Sequence, residues 1–128
     1  MNRCAAALAL LLLAAASCRQ DAPPPARQTF DPGPVPAEFQ GGEQLYEARC
    51  SACHGGHGIG TDRGPPLVHP VYRPSHHANE AFQRAVAFGV QAHHWDFGPM
   101  QPIPGLGRQE VAQVVAYVRW LQRQGGIF

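Results

Sequence analysis

Apolar residues run unbroken from Ala5 to Ala16 and then lose all regular spacing until Phe39. The unbroken run is short for a bilayer-spanning helix, which needs about 20 apolar residues, and it is built largely of alanine. It follows one arginine and ends in small residues, so residues 1–17 read as a secretory signal peptide. Residues 18–38 hold six prolines, all between Pro23 and Pro36, and keep neither a helical nor an alternating period. They read as an extended linker, able to reach on the order of 60 Å at about 3.1 Å per residue. A folded domain is expected over 39–128.

Within that domain, three segments carry helical signals. GGEQLYEARCSACH, residues 41–54, presents Leu45 and Tyr46 and runs towards two cysteines. NEAFQRAVAFG, residues 79–89, places Phe82, Ala85 and Val86 on one face, with Asn79 as the expected N-cap and Gly89 as the stop. The strongest signal is GRQEVAQVVAYVRWLQRQGG, residues 107–126. There Val111, Val114, Val115, Val118 and Leu121 follow helical spacing, Gly107 is positioned to cap, and Glu110 suits the first turn. Between the first two lies an irregular stretch rich in glycine, proline and histidine. No segment alternates as a strand. The expectation is a small all-α domain of three or more short helices with long loops.

Composition narrows the function classes. The chain has 128 residues, a formal net charge of +1, ten arginines and no lysine. With no basic run, nothing points to nucleic acid. Of four cysteines, Cys4 falls inside the signal, and Cys18 follows Ala15, Ala16 and Ser17 in the manner of a lipoprotein signal. Cys18 is therefore the expected lipidation site. It would anchor an exported protein to a membrane on the bacterial periplasmic side. Cys50 and Cys53 remain for chemistry.

Those two form CSACH with His54. A thioredoxin-type dithiol needs a βαβ context, which is not visible, and a closed zinc site needs two further ligands. The remaining reading is covalent haem attachment. Thiols about one helical turn apart can each form a thioether with a haem vinyl group, and the next residue then offers its imidazole to the iron. A covalently held macrocycle would also supply core to a domain of modest size.

On these motifs the chain resembles the class I monohaem cytochromes c, from Gly42 to about Gly125. GEQLYEARCSACHG resembles the family's first helix and attachment site, GPPL (Gly64–Leu67) the loop flanking the proximal histidine, GPMQPIPGL the methionine loop, and EVAQVVAYVRWLQ the last helix. The resemblance implies one haem c bound through Cys50 and Cys53, with His54 and Met100 as axial ligands and Pro65 and Leu67 against the cofactor. It implies that the Pro65 carbonyl orients His54, and that Gly42 lets the first and last helices cross with Tyr46 and Tyr117 beside it. Tyr72, Arg73 or Trp95 would serve the haem propionates, and His57 would lie near the haem edge. A monomeric one-electron carrier with a protein donor and acceptor follows.

Two histidine pairs fit this picture less simply: His76 with His77, and His93 with His94. As loop residues they need no function. As ligands they suit copper or zinc, which would make the chain a haem protein with a second metal. A peroxidase-like or oxidase-associated subunit is the third class. The pairs flank the second helix, about 15 Å long at 1.5 Å per residue. One ion joins them only if the loops fold back, and neighbouring side chains are expected to diverge, giving one ligand from each pair.

Overall fold

The computed structural model describes residues 29–127. The signal-peptide reading and Cys18 lie outside the described residues. Four α-helices follow in order among the described residues: α1 (Ala37–Arg49), α2 (Ser51–His54), α3 (Asn79–Phe88) and α4 (Arg108–Gln124). Short 3₁₀ turns occupy Gly56–Gly58 and Pro70–Tyr72. There is no strand among these residues, only an isolated antiparallel bridge between Val90 and Met100. No described helix is long and apolar enough to cross a membrane.

The framework is the crossing of α1 and α4. A Cβ at Gly42 would lie 2.2 Å from the Gln113 carbonyl oxygen, so only glycine permits this approach. Next to it, the rings of Tyr46 and Tyr117 sit 5.5 Å apart, and those of Phe39 and Trp120 sit 6.0 Å apart. The valine row of α4 is buried as its spacing predicts. Gly107 precedes the helix, and its N–H donates to Glu110 Oε2 at 2.8 Å.

Three local expectations are corrected. The first helix starts earlier, at Ala37, and breaks at Cys50, whose φ of −125° leaves the helical region. Asn79 is the first helical residue rather than the cap. Its Oδ1 accepts from Arg119 Nε at 3.0 Å, a tertiary bond that takes the side chain away from capping. The end of the proline-rich segment is also more than a spacer, because Phe30 and Val35 pack against the core. His57 belongs to that contact. Its Nδ1 donates to the Phe30 carbonyl at 3.4 Å, and it does not line the cleft described below.

Candidate haem cleft

The break at Cys50 starts a tight turn. The N–H groups of Cys53 and His54 both donate to the Cys50 carbonyl, at 3.1 and 2.9 Å. This single turn keeps both thiols and the imidazole together. Cys50 and Cys53 are free thiols. Burial pushes the Cys50 thiol up to about 11. Behind the turn, Tyr46 donates its hydroxyl to the Gly55 carbonyl at 2.7 Å, and Thr61 donates to the Cys53 carbonyl at 2.6 Å. Arg63 donates to the Ala52 carbonyl. The first helix and the following loop thus hold the turn from two sides.

His54 Nδ1 donates to the Pro65 carbonyl at 2.9 Å. This bond fixes the tautomer and leaves Nε2 unprotonated, free to act as a ligand. Burial holds the imidazole below the ordinary histidine range, while the Pro65 bond opposes that shift. Leu67 is buried in the core and reaches the cleft.

These residues open onto a cleft of about 940 Å³. Met100 lines it from the far loop, together with Phe82, Ala85 and Val86 of α3. Helix α3 has no fully buried residue, so its apolar face is left turned to the cleft. Met100 is positioned by backbone: its N–H and carbonyl pair with those of Val90.

The residues fit a haem. Two free thiols and an imidazole with a free Nε2 share the cleft with one thioether and two apolar helix faces. Trp95 also lines it, and its buried Nε1 makes no well-formed hydrogen bond, with only the Tyr72 side chain beside it. An orphaned buried donor costs about 1–3 kcal/mol and suits an anionic acceptor such as a propionate. Tyr72 lines the cleft as well, whereas Arg73 does not.

Sequence reasoning missed Arg119 and Gln122, both buried. Arg119 donates to Asn79 Oδ1, to the Tyr72 carbonyl at 2.6 Å and to the His77 carbonyl. Gln122 donates to the Leu67 and Tyr72 carbonyls, at 2.9 and 3.1 Å. Their position in register with Val111, Val115 and Val118 was the available signal. Polar residues on the apolar stripe of a helix must find buried partners.

The loops around α3 do fold back, and the four histidine rings gather at the cleft. His76 Nε2 lies 3.2 Å from His94 Nε2, and the ring of His93 is centred 6.0 Å from that of His77. Both members of the first pair, His76 and His77, offer a ring nitrogen to one group with His94 of the second pair, and His93 stays outside it.

Compared with known families, residues 39–122 match the model described as Cytochrome c. No curated protein and no solved structure gives a match.

Proposed function

Because the chain belongs to the cytochrome c family and so carries a covalent haem c and passes single electrons, we propose that it is a membrane-tethered carrier with His54 and Met100 as axial ligands. The observation that supports this ligand pair is the shared cleft. His54 offers Nε2 from one wall, with its other nitrogen held by Pro65, and Met100 lines the facing loop. Histidine–methionine ligation raises a haem's reduction potential and leaves no open coordination position for a substrate.

The chain's own residues serve transfer by staying still. The Cys50 turn, the Pro65 bond and the Val90–Met100 pairing all restrain the groups around the iron. Restraint of this kind keeps reorganisation between the two oxidation states small. The apolar faces of α3 and α4 line the cleft. Protein donors and acceptors are the partners this reading requires.

Tethering rests on the apolar run from Ala5 to Ala16, on Cys18 just beyond it and on the proline-rich segment that follows. Export to the periplasmic side follows from the same residues, since haem is attached to such motifs outside the bacterial cytoplasm.

The test is direct. The denatured protein should retain its haem against acidified organic solvent, and the oxidised native protein should show the red charge-transfer band of a methionine–iron bond. Extraction of the haem would sink covalent attachment, and absence of the band would sink Met100. Cys18→Ser should move the protein from the membrane to the soluble exported fraction. Retention without lipid labelling would overturn the lipid anchor.

A further inference from the structure

We propose that His76, His77 and His94 bind one divalent transition cation of the copper–zinc class at the mouth of the cleft. One ring nitrogen from each lies within 4.8 Å of the others. The Nε2 atoms of His76 and His94 are 3.2 Å apart. Two ligands of a tetrahedral ion with metal–nitrogen bonds of 2.0–2.1 Å stand about 3.3–3.4 Å apart, so this pair is already at ligating separation. The widest pair must close by on the order of 1 Å to the same spacing. His76 and His94 are exposed and can rotate to do so.

The third ligand is prepared from behind. His77 Nδ1 donates to the Val71 carbonyl at 2.7 Å, which leaves Nε2 as its free nitrogen. A ring N–H bonded to a backbone carbonyl is the usual outer support of a metal-bound histidine. The backbone beneath is held by α4, through Arg119 to the Tyr72 and His77 carbonyls. The facing loop is closed by the Val90–Met100 pairing and rests Trp95 against His69, ring centres 4.9 Å apart.

The surroundings favour neutral imidazoles. The titratable and charged groups that act on His77 are His76, His93 and Arg119, and those that act on His94 are His93, His77 and His76. Each disfavours a further proton. Burial, then these neighbours, hold His77 below the ordinary histidine range, and His94 is shifted the same way. Neutral rings are the form that binds metal. Three imidazoles with no thiolate or carboxylate suit copper(II) and zinc(II) and not calcium or magnesium, and copper(II) binds tightest of the series. The exposure of His76 and His94 leaves a fourth position for water.

The three histidines line the same cleft as Cys50, Cys53 and His54, so the added metal and the haem are measured separately. Untagged holoprotein is stripped with a chelator and titrated with copper(II) and then, in a fresh sample, with zinc(II). Haem is quantified on the same material. One ion per chain is expected for each metal, copper tighter than zinc, with imidazole nitrogen splittings in the copper electron paramagnetic resonance spectrum. The His76→Ala/His94→Ala variant should bind at least about 100-fold more weakly, beyond the 10–100-fold cost of losing an outer support. His57→Asn, remote from the cluster, should bind as the wild type does. An unchanged visible spectrum shows that each variant keeps its fold. Substoichiometric binding at micromolar metal by protein with full haem content overturns the site, as does wild-type affinity in the double variant.

Discussion

Val90 and Met100 exchange both of their backbone hydrogen bonds, each 2.9 Å long. The stretch between them, residues 91–99, carries His93, His94 and Trp95. One pairing therefore sets the height of the thioether in the cleft and returns the second histidine pair to the first. Met100→Ala should abolish the red charge-transfer band and lower the reduction potential, since under the proposed ligation the iron would lose its weak sulfur ligand. Redox titration followed by visible spectroscopy checks this. An unchanged spectrum would assign the distal position to another residue.

Gly89 is a separate lever on the same loop. Its φ is +75°, and a Cβ there would lie 2.5 Å from the Met100 carbonyl oxygen. Gly89→Ala should weaken the methionine–iron band and lower stability by about 1–3 kcal/mol, from left-handed strain plus displacement of the loop. Denaturant unfolding followed at that band and at the Soret band separates loosening of the loop from global unfolding.

At the helix crossing the contact is backbone against backbone. Gly42→Ala must separate α1 from α4, because the clash at 2.2 Å is with a carbonyl and no side chain can yield. A loss of about 3 kcal/mol, or failure to accumulate holoprotein, is expected. An unchanged denaturation midpoint would mean that the helices do not cross at this point.

Arg119 holds the loop that bears His76 and His77. Arg119→Met keeps the length of the side chain but strands the buried Gln122 Oε1 and the His77 carbonyl, and frees Asn79 Oδ1 to solvent. The Tyr72 carbonyl keeps its bond from Gln122. A loss of about 2–3 kcal/mol is expected in chemical denaturation. The change should be larger than that of Arg123→Met, whose guanidinium lies over the Phe39 ring at 5.8 Å.

The histidine cluster gives stability a definite slope with pH. His77 and His94 have folded values below the ordinary histidine value of about 6.5. The unfolded chain therefore takes up protons first as pH falls. Without added metal, the protein should keep the cluster's contribution to stability above about pH 7 and lose that contribution, which solvent screening keeps small, as pH drops through 6.5, levelling off once the folded cluster also protonates. Replacing His77 and His94 together with asparagine should flatten the part of that slope lying between about pH 5 and 7.

Sequence alone determined the features that depend on near neighbours. The CSACH spacing fits one turn of backbone, so thiols and imidazole come together whatever the rest of the chain does. The valine row of α4 and the Gly89 stop are likewise legible, because helical period and positive φ are local properties. The tertiary structure decided what depends on distant groups. It decided that Asn79 serves Arg119 instead of capping α3, and that Phe30 and Val35 dock on the core. It also decided that His76 meets His94, eighteen residues on. Spacing along a helix left open whether those pairs meet, since that required the loops to fold back. Two loops, one closed by Val90–Met100 and the other tied to Arg119, bring them together. Loop closure is governed by where buried donors find carbonyls, and no periodicity in the chain records that.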